Sequence, residues 1–122
     1  MLLTGNYRCI GRDGMRSIRE AVHTDLAASR EVYEWVNALC VEIGANPADL
    51  VPFDKYAAAA EGLAKPSSAA RALAAGAQNI ERVDKLVAGI ARQKGRSNPS
   101  VTASVEHVEA WLAKNRAAAA KG

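Results

Sequence analysis

Aromatic side chains are scarce in this sequence, with two tryptophans, three tyrosines and one phenylalanine among 122 residues. Strands favour aromatic and β-branched side chains. Their scarcity, beside runs crowded with alanine, argues against a β-sandwich and for close-packed helices with small side chains. Cysteine is equally sparse. Cys9 and Cys40 form no C-x-x-C and have no histidine pair nearby, so they read as reduced, at least partly buried thiols rather than a disulfide or zinc site. No run of about 18 apolar residues exists to span a membrane as a helix. Met1-Leu2-Leu3 is too short for a signal-peptide core and carries no basic leader, which leads to the expectation of a cytoplasmic protein with no membrane partner. No block of one charge sign is present either. The 16 basic and 13 acidic residues are interspersed, with a net charge of +3, so nucleic acid is not an expected partner. A dinucleotide fingerprint, G-x-G-x-x-G, and a phosphate-cradling P-loop are both missing.

What is present is enough for one domain. A chain of this length buries roughly two-thirds of its unfolded surface and can fold without disulfides or metal. No segment of useful length alternates with the period of a strand, and the expectation is an all-α fold, a compact multi-helix domain of about 5–7 helices over residues 1–122. The most informative stretch runs from Lys65 to Pro99. Ser67-Ser68 give a helix-start signal, Gly76 interrupts, and Ile80, Val83, Leu86, Val87, Ile90 and Ala91 fall on one helical face. Arg92, Lys94 and Gly95 close that helix, and Glu81 and Lys85 have the spacing of a helical ion pair.

Upstream, Leu2, Leu3, Tyr7, Cys9 and Ile10 need burial, although no cap precedes them, as though an upstream portion were missing. Gly11 to Gly14 predict a turn. A short helical patch, Ile18, Ala21 and Val22, breaks near His23-Thr24. Thr24 or Asp25 then caps a longer helix carrying Leu26, Val32, Tyr33, Val36, Leu39, Cys40 and Ile43, which Gly44 ends. Asn46-Pro47 restarts the chain, and Asp54 is the expected cap of a helix through Leu63 with an alanine-rich face. Asn98-Pro99 opens the last helix, which buries Val101, Val105, Val108, Trp111 and Leu112 before a tail, AAAAKG, expected to fray.

Candidate chemistry is thin. His107 sits among Glu106 and Glu109 and reads as a surface residue. Glu81 and Asp84 are spaced as an acid pair but, beside Arg82 and Lys85, look like a solvated face. Ser67-Ser68 are explained by capping alone, yet a helix start with hydroxyls and free amides also suits a carboxylate. The residues themselves leave both readings open.

The run Lys65-Pro-Ser-Ser, then Arg71-Ala-Leu, Gly76-Ala, Asn79-Ile-Glu-Arg-Val-Asp, Gly95 and Pro99, resembles the C-terminal helical domain of the ketopantoate reductase (2-dehydropantoate 2-reductase) family. There a serine pair opens a helix, followed by a T-E-I-D-x-x-N-G-like helix and a G-x-x-x-P step. Leu3-Thr4, Tyr7-Arg8-Cys9 and the helix ending at Gly44 echo that family's N-P-L-T-A segment and the helix after it. The similarity extends to about Leu112 and lies more in order and spacing than in any single motif.

The resemblance implies an NADPH-dependent 2-keto acid oxidoreductase of pantothenate biosynthesis, in which a Rossmann domain holds the cofactor and the helical domain closes the cleft and dimerises. The family's catalytic lysine would fall ahead of Met1, and its functional glutamate aligns with Asn79, with Glu81 on the aspartate. Asn79 can hydrogen-bond a substrate hydroxyl but is not a carboxylate. The serine that holds the substrate carboxylate falls on Ser67 or Ser68. The expectation is thus a C-terminal domain, fragment or stand-alone, that binds a 2-keto acid through Ser67, Ser68 and Asn79. It carries no catalytic residue, no metal site and no cofactor site of its own, forms a homodimer, and is inactive without a Rossmann-domain partner. The alternative is a helical interaction module that has lost the chemistry and self-associates through its alanine-rich faces and apolar N-terminal stretch. A helical nucleic-acid binder using Arg8, Arg12, Arg16 and Arg19 is the weaker third reading.

Overall fold

The computed structural model describes residues 2–121, Leu2 by its backbone alone, so the expected burial of the Leu2 side chain and the end of the tail at Gly122 lie outside the described residues. Among the described residues the protein is all-α. A π-helical turn (Leu2–Asn6) and a 3-10 turn (Tyr7–Cys9) lead into α1 (Ile18–His23), α2 (Leu26–Glu42), α3 (Phe53–Ala60), α4 (Ser68–Ala74), α5 (Val83–Gln93) and α6 (Pro99–Lys121). The one β-type pairing described is an isolated antiparallel bridge between Ile10 and Met15, closed over the Gly11–Gly14 turn. No helix among the described residues is long and apolar enough to cross a membrane.

The N-terminal segment is the centre of the molecule. Leu3, Tyr7, Cys9 and Ile10 are buried together with Ala21, Val32, Leu73, Val101, Val108 and Leu112, drawn from α1, α2, α4 and α6. Leu3, Tyr7, Cys9 and Ile10 are therefore covered by this chain's own helices. The segment's polar groups are satisfied by distant backbone. Tyr7 Oη donates to the Glu81 carbonyl (2.5 Å) and accepts from Val83 N (3.1 Å), filling the place of a cap at the start of α5, where Arg82 supplies none. Gly5 is so close to the Tyr56 hydroxyl that a Cβ there would lie 2.1 Å from it, which leaves glycine as the residue that fits. A second cluster joins Val22 and Tyr33 to Phe53, Tyr56, Ala57 and Ala60, with the Tyr33 and Tyr56 rings stacked at 5.0 Å.

Local capping signals account for most boundaries. Ser17 and Glu20 form a capping box on α1, and Asp25, rather than Thr24, caps α2 through Ala28 N. At the end of α2, Gly44 takes φ +116°, and Ala45 N reaches back to the Cys40 carbonyl. Gly76 repeats this after α4, with φ +99° and Ala77 N bound to the Ala72 carbonyl. Asn98 Oδ1 accepts from Ser100 N and Val101 N at the start of α6.

Several expectations fail for tertiary reasons. Pro52, not Asp54, precedes α3, and that helix stops at Ala60 because Leu63 and Lys65 turn their carbonyls to Arg19 N and Ile18 N, the free amides of α1. Leu26, Ile43, Leu63 and Leu86 are exposed. Glu81 lies ahead of α5, so Lys85 pairs with Glu109 instead. The alanine tail continues α6 to Lys121, as alanine's high helix propensity favours.

Candidate functional site

Ser67 and Ser68 have different environments despite being neighbours. Ser67 is buried at the N-cap of α4. Its Oγ accepts from Ala70 N (3.2 Å) and donates to the Asn6 carbonyl (2.7 Å), so the hydroxyl is engaged on both sides. Ser68, the first residue of α4, is exposed and has no side-chain hydrogen bond among the described residues. The Ser67–Asn6 bond ties α4 to the buried N-terminal turn, and the loop ahead of it is held by α1 through Lys65 O and Leu63 O. Ser68 is thereby presented from a fixed backbone.

Asn79 follows the Gly76 turn and is exposed, its Oδ1 3.4 Å from the Arg116 guanidinium, which also donates from Nε to the Gln78 carbonyl (3.0 Å). Asn115, buried on the same helix, donates to the carbonyls of Leu73 and Ala77, closing the end of α4 and fixing the 75–80 loop against α6. These contacts bring Asn79 and Ser68 to a common cavity of about 450 Å³, which Asn6, Tyr7 and Glu81 also border. A second cavity of about 420 Å³ shares Asn6 and Ser68 with the first and adds Lys65 and Arg71. Neither cation forms an ion pair among the described residues, so this end of the groove is electropositive and the Glu81 end is not. Lys65 and Arg71 were not singled out from sequence. The signal was there, since Lys65 is two residues before Ser67 and Arg71 is three after Ser68, one helical turn along the same face.

The Glu81/Asp84 pair does not exist as an acid pair. Asp84 is fully buried and bound at both oxygens by Arg82 (Nε–Oδ1 and Nη2–Oδ2, each 3.0 Å), while Arg82 Nη1 reaches Glu109 Oε1 on α6 at 2.8 Å and Lys85 reaches the same carboxylate at 3.1 Å. Asp84 thus leaves the expected solvated face for a structural ion contact with Arg82, while Glu81 and Lys85 stay exposed. Arg82 and Lys85 hold the Glu109 carboxyl below its ordinary value. Cys9 is buried and its thiol is pushed up by that burial, and Cys40 is half-buried; both are free. No group of three or more potential metal ligands occurs among the described residues. Of the four arginines of the nucleic-acid reading, Arg12 and Arg19 are exposed, whereas Arg8 and Arg16 are half-buried. His107 is half-buried as well, so the expected surface position holds only in part.

A dinucleotide is held where a strand runs through a glycine turn into a helix. The described residues contain no such unit, so they do not fit NADPH by that means. No family model matches this chain, and neither curated proteins nor solved structures give a significant match.

Proposed function

We propose that this chain is the substrate-side helical domain of an NADPH-dependent 2-keto acid reductase of the ketopantoate reductase kind, working in the cytoplasm with a nucleotide-binding Rossmann partner and without activity of its own. The observation that carries the reading is the shared cavity of Ser68 and Asn79. Two residues drawn from separate parts of the resembling sequence border one space, next to Lys65 and Arg71, which form no ion pair among the described residues. A 2-keto acid needs a donor set for its carboxylate and a neutral partner for a hydroxyl or carbonyl. Ser68 with Lys65 or Arg71 supplies the first, and the Asn79 amide the second. With both sides of its hydroxyl engaged, Ser67 acts as the support that sets α4, and the carboxylate contact falls to Ser68. Dimerisation draws support from exposed Val41 and Ile43 at the end of α2, beside a mostly apolar hollow of about 530 Å³ bordered by Trp35, Ala38 and Leu39.

The test is a titration of the isotope-labelled chain with ketopantoate and pantoate, with light scattering on the same sample. Saturable amide shifts at Ser68, Asn79 and Arg71 are expected, with affinity weakened about tenfold in Ser68→Ala, the loss of one hydrogen bond. Ser67→Ala should instead cost about 1 kcal/mol of stability, the usual loss for a cap. Shifts scattered over the surface, or binding indifferent to Ser68→Ala, would remove the substrate assignment. A monomer at all concentrations would remove dimerisation.

A further inference from the structure

Away from that groove, the Ile10–Met15 bridge sets Arg8 and Arg16 side by side. Arg16 N donates to the Cys9 carbonyl (3.0 Å), and its Nε donates to the Arg8 carbonyl (2.9 Å). Arg8 Nη1 donates to Ser29 Oγ (2.7 Å), a buried hydroxyl on α2 that in turn donates to the Val22 carbonyl. Both arginines are half-buried, and neither forms an ion pair among the described residues. Burial lowers Arg8 from its ordinary value, and the neighbouring Arg16 charge adds to the effect. Asp25, whose Oδ1 accepts from Ala28 N at the cap of α2, and Tyr56 act the other way, and no ion pair joins Asp25 to Arg8 among the described residues.

The two arginines open onto a cavity of about 180 Å³ completed by Gly11 and by Ser100, Ser104 and His107, a single stripe of α6. No carboxylate lines it. Ser104 is almost fully buried and its hydroxyl has no hydrogen bond among the described residues. The first amides of α6 are taken by Asn98, so any ligand here is met by side chains and not by the helix terminus. Like charges held together under partial desolvation without a counter-charge are unfavourable, and an anion reverses the sign of that interaction. Guanidinium forks and hydroxyls match the oxygens of a tetrahedral oxyanion. We propose that this cavity binds phosphate, free or as the terminal group of a small phosphate monoester.

Inorganic phosphate and glycerol phosphate would each be titrated into the labelled chain at constant ionic strength, with acetate as the planar anion. Saturable shifts of the amides of Arg8, Arg16, Ser104 and His107 are expected, together with a rise in melting temperature that acetate does not match. Tighter binding of glycerol phosphate assigns a monoester, and equal binding assigns the free ion. Arg16→Gln, whose side chain is less enclosed in hydrogen bonds than that of Arg8, should weaken phosphate about tenfold or more while leaving the spectrum folded. Ser104→Ala is the second variant, with a smaller loss in the same direction. A phosphate effect equal to that of acetate, shifts confined to Lys65 and Arg71, or a folded Arg16→Gln that binds as before would each overturn the proposal.

Discussion

α6 takes part in two arginine-centred clusters that differ in how their charge is balanced. At Arg82 each cation meets a carboxylate: Asp84 in a buried two-point contact, Glu109 beyond it, and Lys85 closing the set. At Arg8 and Arg16 two cations share a cavity with hydroxyls and an imidazole but no acid. The first cluster is complete within the chain and joins α5 to α6. The second is complete only with something from outside. Full compensation marks a structural joint, and uncompensated charge in a hollow marks a place for a ligand.

The contrast breaks most sharply at Asp84. Asp84→Ala leaves Arg82 enclosed with half of its partners, and removing one member of a buried pair costs about 3 kcal/mol or more. The expected result is a large fall in the urea midpoint with an unchanged slope. A loss under about 1 kcal/mol would show that the Arg82 cluster is no more a joint than a surface pair.

Arg16→Gln, in buffer free of phosphate, is the matching change at the other cluster. It gives up the bond to the Arg8 carbonyl but relieves the repulsion of Arg8. The two effects oppose, so stability should move by about 1 kcal/mol at most. A fall as large as that of Asp84→Ala would mean that Arg16 is itself a structural brace and would erase the distinction.

What the sequence made legible follows the range of each interaction. Ser67, Asn98 and Gly44 act on backbone within a few residues, and their caps and helix ends are where the pattern placed them. The all-α fold follows from the same local signals. Asp84 was illegible because Arg82, Asp84 and Lys85 alternate like a solvent-facing stripe, and the partner that turns the stripe inward, Glu109, stands 27 residues beyond Arg82. The end of α3 depended on α1 amides more than 40 residues earlier (Arg19 N to Leu63 O, Ile18 N to Lys65 O). At the candidate site, Ser68 was legible as part of a helix start that left capping and carboxylate binding both open, Asn79 came from a resemblance alone, and Lys65 and Arg71 needed only the helical repeat. The Arg8–Arg16 pairing needed the Ile10–Met15 bridge, which four residues of turn sequence do not announce.

The smallest expected effect lies at the rim of the balanced cluster. Hydrogen bonds from Arg82 and Lys85 hold the Glu109 carboxyl below its ordinary 4.5. A carboxyl depressed in the folded state contributes stability above its unfolded value and loses that contribution as the pH falls through the folded one. Glu109→Gln should therefore be less stable than the parent near neutral pH, and the gap should close below about pH 4.5. Because Glu109 is partly exposed, the gap is small and shrinks further with salt. Glu20, lowered by its bonds to Ser17, titrates in the same direction in both proteins, so the difference between variant and parent, not either curve alone, isolates Glu109. Urea unfolding of both proteins between pH 3 and 7 measures it. A gap that stayed constant to pH 3 would mean that the Glu109 charge does not contribute, leaving the balance of the cluster to Asp84 alone.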